Sequence, residues 1–268
     1  MPPDPHTLFN AYLESIGETE RRLREKLENA EISLESLRND FYEFSLKSGF
    51  AVANYSIFES DDFEYLRKVV LSVPDAIDYE EYWNRSSAGI AELIIRELGI
   101  DASSKVLDFG CGVGRVARTL IKQALCPVVG VDISKSMLQA AERYVASSNF
   151  HPIPSAAFHA APQEAGPFTA AYALIVLQHC AHPEAELKAI RAACVPGARF
   201  LVMNARRRFV PLSTGWNDDG VDIRALVDSL FIIEKEIDTS AIPAMRFDPN
   251  APPTAAESDH YTLVARVP

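Results

Sequence analysis

The spacing of apolar positions divides the chain near residue 80. In the first part, Leu13, Ile16, Leu23, Leu27, Ala30, Leu34, Leu37, Phe41 and Phe44 recur in steps of three and four, with Glu20 as the one break in register. This spacing predicts a helix carrying a heptad seam of about four repeats, with Glu and Arg between. Such a seam has two readings. It forms a coiled coil that makes a homodimer, or it is an amphipathic helix lying on its own domain. The stripe is only two positions wide, narrower than a core-facing helix usually shows, and this favours the dimer. Further on, Asp61, Asp62 and Glu64 precede an apolar helix around Leu66–Leu71, which Pro74 ends.

From Tyr82 the pattern becomes regular. Helices are expected over 87–98, 113–123, 134–146, 183–193 and 221–229. Strands are expected over 105–109, 128–132, 170–175, 198–204, 230–237 and 259–266, with a weak strand near 156–159 after the Pro-broken stretch His151-Pro152-Ile153-Pro154. Strands alternating with helices predict an α/β fold with a doubly wound, mostly parallel sheet. The last two strands have no helix between them, so the final strand is expected to run antiparallel to its neighbour. The expected organisation is a helical N-terminal extension over 1–79, with its coiled-coil-like segment at 13–44, followed by one domain over 80–268. The Pro-rich loop 239–256 is a lid candidate, extended and without regular structure.

Charge narrows the function. The 268 residues carry 37 acidic and 26 basic side chains, a net of −11, and residues 1–80 hold 17 of the acids against 8 bases. Nucleic acid is not the expected partner, because neutralising phosphates takes clustered Lys and Arg. No apolar run approaches the roughly 20 residues of a membrane span, and no secretory leader is visible after Met1. None of the four cysteines forms a CxxC pair. A cytoplasmic, reducing location is the expectation.

The chemistry concentrates after the first domain strand, in Asp108-Phe109-Gly110-Cys111-Gly112-Val113-Gly114-Arg115. Glycines there let the main chain approach a ligand at a helix N-terminus. A dinucleotide loop needs GxGxxG, and Arg115 stands where its third glycine would be. Asp132 ends the next strand, placed to take ribose hydroxyls or to cap the following helix together with Ser134.

These segments resemble a known group. Val106-Leu107-Asp108-Phe109-Gly110-Cys111-Gly112-Val113-Gly114-Arg115 is similar to motif I of class I S-adenosylmethionine-dependent methyltransferases. Val129-Gly130-Val131-Asp132-Ile133-Ser134 with Met137-Leu138 resembles the following motif. Leu177-Gln178-His179 with Pro183-Glu184 resembles the small-molecule methyltransferase pattern after the fourth strand, and Val195-Pro196-Gly197 the turn before the fifth. The resemblance covers residues 80–268 and implies a seven-stranded Rossmann-like sheet with a reversed final hairpin and S-adenosyl-L-methionine as cofactor. It implies Asp108 near the methionine amino end, Gly110, Cys111, Gly112 and Gly114 under the methionine and ribose, Asp132 on the ribose, and Ile133 and Met137 near the adenine. The family often has an acid after the third strand, against the adenine amino group; here Ala160 stands in that place. Tyr82 and Arg85 belong to a segment that in look-alike enzymes folds over the methionine end, with Arg85 expected on its carboxylate.

Several candidates concern the acceptor. His179, just past the fourth strand, is the candidate general base. Its bland reading is a helix-start histidine that packs or caps. Clustering of His179, Cys180 and His182 is too sparse to predict a metal site. Arg206, Arg207 and Arg208 at the end of strand 198–204 suggest an anionic acceptor, or simply a solvated loop. The function expected is methyl transfer to a small molecule, on oxygen first. The rival is a cofactor-binding protein that kept the fold without turnover.

Overall fold

The computed structural model describes residues 5–33, 36–37, 40–41, 44, 53–212 and 215–268, and the chain divides into two compact units. One comprises residues 1–54 with 211–217, and the other comprises residues 55–210 with 218–268. Residues 55–79, grouped by sequence with the N-terminal extension, thus lie in the same unit as the domain that follows.

In the first unit the single long helix expected over 13–44 is broken: the helices Pro5–Ser15 and Glu20–Glu28 are separate, and residues 36–37, 40–41 and 44 are helical again beyond them. Gly17 turns the chain at φ +67°, and Thr19 then caps the second helix by accepting from the Arg22 N–H. That helix ends where Ala30 takes φ +55°. Part of the apolar stripe packs inside the unit, with Leu13 and Leu23 buried, while Ile16 is 44 % exposed. Phe41 packs edge-on against Phe9 and Tyr12, with centroids 5.6 and 5.3 Å apart, and Phe44 lies 5.5 Å from Tyr12. The heptad reading is corrected on this point: among the described residues the helix breaks at Gly17 and at Ala30, so they form no continuous seam. Leu34 lies outside the described residues.

The second unit is built on a seven-stranded sheet. Its strands are β1 (Val106–Phe109), β2 (Val128–Asp132), β3 (Phe150–Pro154), β4 (Phe168–Leu174) and β5 (Cys194–Ala205), completed by β8 (Ile232–Asp238) and β9 (His260–Arg266); β6 (Val210–Leu212) and β7 (Gly215–Asn217) form a separate two-stranded sheet whose residues 211–217 belong to the first unit. The order is β3-β2-β1-β4-β5-β9-β8, with β9 antiparallel to both its neighbours and the others parallel. Alternate side chains serve opposite faces. Val106, Tyr172, Leu201 and Met203 pack under the helices Tyr79–Leu98 and Arg115–Ala124, through Ile90, Ile94, Ala117 and Leu120. Leu107, Phe109, Ala171 and Val202 pack on the other face, against Phe158, Leu187, Ile190 and Val227. Burial on both faces is why the central strands read as apolar runs rather than alternations.

Helix boundaries follow their caps. Asp78 accepts from the Glu81 N–H at 2.9 Å and starts the first domain helix at Tyr79, well before the expected residue 87; Gly99, at φ +66°, ends it. Tyr82 and Arg85 therefore lie on this helix rather than ahead of it. The third strand is also corrected. It is the Pro-broken stretch itself, Phe150–Pro154, and residues 155–160 form a short helix instead of the expected strand. Pro152 and Pro154 are tolerated because β3 is an edge strand, where a missing N–H costs no ladder bond. Among the described residues no helix is long and apolar enough to cross a membrane.

Candidate functional site

Strand order reverses between β1 and β4, and the crevice at their carboxyl ends is where open α/β sheets bind ligands. Two adjoining cavities occupy it. Gly110, Val69, Val70, Leu174 and Ile175 line both. One cavity extends over Asp132, Ile133, Met137, Ser155 and His179. The other extends over Asp108, Cys111, Arg115, Tyr82, Ser240, Met245 and Phe247. Together they make one groove across the sheet edge, and most of the residues singled out by sequence meet in it.

The floor is the turn after β1. Gly110 and Cys111 both donate their N–H to the Val131 carbonyl, at 2.8 and 3.0 Å, which bends the chain sharply toward β2. Gly110 needs its lack of a side chain twice over. Its φ is +77°, and a Cβ there would lie 2.3 Å from Cγ2 of Val176. The Gly112 N–H donates to Oδ2 of Asp132 at 2.8 Å, and the Ser134 N–H to its Oδ1 at 3.0 Å. Asp132 thus ties the glycine turn to the β2 end, and Ser134 caps the helix Lys135–Val145 by accepting from the Met137 N–H. Burial raises the pKa of Asp132 above the ordinary carboxylate value, opposed by the Gly112 and Ser134 N–H donors. Asp108 is buried beneath the turn. Loss of solvent pushes its pKa up to about 7, with the Asp132 charge adding to the rise.

Ile133 is 52 % exposed although large and apolar, at the groove wall, while Met137 is buried beside it. A segment that sequence reasoning missed closes this end. Glu59 accepts from the N–H groups of Lys135 (3.0 Å) and Ser136 (3.1 Å), Ser134 Oγ donates to the Phe58 carbonyl at 2.7 Å, and the Tyr55 hydroxyl accepts from the Ala181 N–H at 3.0 Å. Residues 55–59 are thereby laid across the groove between the β2 and β4 ends. The residue after the third strand is also new. Ser155 lines the groove, whereas Ala160 is exposed at the far end of its short helix and does not. With Phe150–Pro154 as the strand, the residue that follows it is Ser155 rather than Ala160.

His179 is brought into the groove. Its Nδ1 lies 2.6 Å from the Phe209 carbonyl, an acceptor only, so Nδ1 carries the proton and donates. Its Nε2 lies 3.3 Å from the amide nitrogen of Gln178, whose own oxygen accepts from the Ala205 N–H. Burial holds the imidazole below its usual pKa, so the neutral ring dominates at pH 7.

Two sets of expected residues sit elsewhere. Arg85 is spent on main-chain carbonyls, donating to Pro243 (3.1 Å), Arg246 (2.9 Å) and Phe247 (3.1 Å), and it does not line the groove. Tyr82 does line it, and its hydroxyl donates to the Met245 carbonyl at 2.8 Å. Glu257 grips the same strap, accepting from the Phe247 and Thr254 N–H groups. The Pro-rich loop is therefore docked on the helix Tyr79–Leu98, where Gly89 makes room: a Cβ there would lie 2.0 Å from Cβ of Ala244. The Arg206–Arg208 triplet does not reach the groove. Arg206 is exposed over the Tyr261 ring, Arg207 pairs with Asp259 at 3.5 Å, and Arg208 is buried in a two-pronged contact with Asp219, donating also to the Leu177 carbonyl. The expectation of an anionic acceptor loses its residues here. Arg208 instead braces the turn that carries His179.

A family model described as a methyltransferase domain matches residues 82–234. The chain belongs to the methyltransferase family. S-adenosylmethionine is the cofactor this membership brings. Among solved structures, a SAM-dependent methyltransferase from Aquifex aeolicus is similar at 12 % identity and TM-score 0.50, covering 77 % of this chain and 99 % of that one. A putative sarcosine dimethylglycine methyltransferase from Galdieria sulphuraria is similar at 11 % identity and TM-score 0.50, covering 68 % of this chain and 85 % of that one. The (4+2)-cyclase SpnF is similar at 19 % identity and TM-score 0.50, covering 67 % and 80 %. At these identities the likeness shows the fold alone. No curated protein matches the sequence. The groove of this methyltransferase fits the cofactor's chemistry: a side-chain-free turn at Gly110, a carboxylate at the β2 end, and an exposed apolar wall at Ile133.

Proposed function

We propose that this methyltransferase acts on a small-molecule hydroxyl, with His179 as general base. The observation that carries the reading is the hydrogen bond from His179 Nδ1 to the Phe209 carbonyl, in a groove where burial keeps the ring neutral. That bond fixes the tautomer and leaves Nε2 with its lone pair, as an acceptor of a hydroxyl proton must have. An acceptor hydroxyl competes with the Gln178 amide for that nitrogen.

The cofactor supplies the methyl group on a sulfonium, and the chain's share of the work is alignment and exclusion of water. In this reading Gly110, Cys111, Gly112 and Gly114 pass beneath the methionine and ribose, and Asp132 receives the ribose hydroxyls. Ile133, Met137 and Ser155 border the adenine. Asp108 faces the amino end, while Tyr82 acts by holding the strap at Met245. Residues 239–258 wall the Asp108 end of the groove through Ser240, Met245 and Phe247.

Radiolabelled transfer from S-adenosylmethionine to a panel of phenols, alcohols, amines and carboxylates tests the reading. Label in ether products, with His179→Ala losing kcat while cofactor affinity holds, is the expected result. Label appearing only on nitrogen, or transfer indifferent to His179, overturns the oxygen assignment. Cofactor binding without transfer to any acceptor favours a protein that kept the fold and lost turnover.

A further inference from the structure

Three arginines in the second unit are buried, and two of them hold carboxylates: Arg67 those of Glu64 and Glu80, Arg208 that of Asp219. Arg115 is the exception. It is 9 % exposed, and among the described residues no carboxylate comes within ion-pair distance of it. Its Nη1 donates to Ser86 Oγ at 2.8 Å and Ser87 Oγ at 3.2 Å, the guanidinium lies 5.4 Å from the Trp83 ring centre, and Nε has no partner at all. Burial lowers its pKa to about 10, so it stays charged at neutral pH. Asp108 shares the cavity, yet its own pKa near 7 leaves it only partly ionised there.

A buried cation without a counter-ion destabilises the fold that holds it. Here the cation is fixed in place by two hydroxyls and a ring, lines the cavity beside Asp108, and stands at the N-terminus of the helix Arg115–Ala124, whose dipole also favours an anion. We propose that Arg115 is the seat of a ligand carboxylate, namely the one on the amino-acid arm of S-adenosylmethionine. Arg85, the other guanidinium on this side, is already occupied by four main-chain carbonyls. The assignment rests on the cofactor reading above, and it specifies which residue of this chain discriminates a cofactor that has its carboxylate from one that lacks it.

Calorimetry of the full chain with S-adenosylmethionine and with decarboxylated S-adenosylmethionine isolates that one group. The wild type is expected to prefer the intact cofactor by ~10–100-fold, and Arg115→Met to erase the preference by weakening the intact cofactor alone. Arg115→Lys should restore part of it. Because the substitution removes an unpaired buried charge, the unliganded Arg115→Met protein should melt no lower than wild type, which separates lost recognition from lost folding. An unchanged preference in Arg115→Met overturns the assignment. So does an unchanged cofactor affinity combined with a raised KM for carboxylated acceptors, which would make the acceptor the source of the anion. Absence of binding by either cofactor in the wild type would instead remove the cofactor reading on which the assignment stands.

Discussion

The two ends of the groove are made differently. At the Asp108 end the walls carry buried charge: a carboxyl with its pKa lifted to about 7 and a guanidinium that feels this carboxyl's charge but, among the described residues, has no carboxylate within ion-pair distance. At the Ile133 end Ile133 and Met137 stand beside carboxylates that are occupied by the protein's own backbone, as with Glu59 and Asp132. The contrast teaches how recognition is divided. The first end responds to the charge of what enters, because unsatisfied buried charges gain most from a partner. The second responds to shape, because its polar groups already have partners.

The largest effect should come at the hinge between the ends. Asp132→Ala removes the side chain that binds the Gly112 and Ser134 N–H groups, and with them the register of the turn. Calorimetry should show S-adenosylhomocysteine affinity reduced by roughly 100-fold or more. If Asp132→Ala binds as wild type does, the ribose role and the division into two ends both fail. His179→Ala should lower kcat by ~10²–10⁴-fold at unchanged cofactor affinity, read from single-turnover transfer once an acceptor is in hand.

Asp108 gives the charged end a pH signature. Its carboxyl ordinarily titrates near 3.8 and is raised to about 7 by burial, so the folded protein holds that proton more tightly than the unfolded chain. Stability from this group is fully present below about pH 4 and is lost as pH rises through about 7. Melting of the unliganded protein should therefore decline over that window, and Asp108→Asn should flatten the decline. Affinity for the cofactor's ammonium should move the opposite way, rising up to about pH 7 as the carboxylate forms. A profile identical in Asp108→Asn would assign the slope to other groups.

The strap offers a smaller test. Arg85→Ala releases the carbonyls of Pro243, Arg246 and Phe247, and should weaken S-adenosylhomocysteine several-fold by loosening the wall of the Asp108 end. Smallest of all, Ser155→Asp supplies an acid at the Ile133 end, and should tighten S-adenosylhomocysteine by a few-fold, roughly the worth of one hydrogen bond. Tightening in Ala160→Asp and not in Ser155→Asp would show the register of the third strand to be misassigned.

What the chain's sequence made legible was local. A buried strand, a glycine turn and a helix, followed by Asp132 at the next strand end, lie within thirty residues, and each signal reinforces the others. His179 followed from its place after the fourth strand. The misread parts depended on distant partners. Prolines 152 and 154 spoke against a strand until the edge position of β3 excused them, and that moved the groove residue from Ala160 to Ser155. Arg85 has the right charge for a carboxylate, yet its partners are carbonyls some 160 positions further along the chain, beyond the reach of any local pattern. Phe9, Tyr12, Phe41 and Phe44 show the same limit: an apolar stripe gives no hint whether its partner is another chain or its own neighbours.

Titration calorimetry of the wild-type chain with S-adenosylhomocysteine, with NAD as the parallel ligand, tests the central claim most directly. One molecule of S-adenosylhomocysteine binding per chain, displaceable by S-adenosylmethionine, with no heat from NAD, is the predicted result. No binding of S-adenosylhomocysteine, or binding of NAD in its place, would contradict the account of the groove from Asp108 to Ser155.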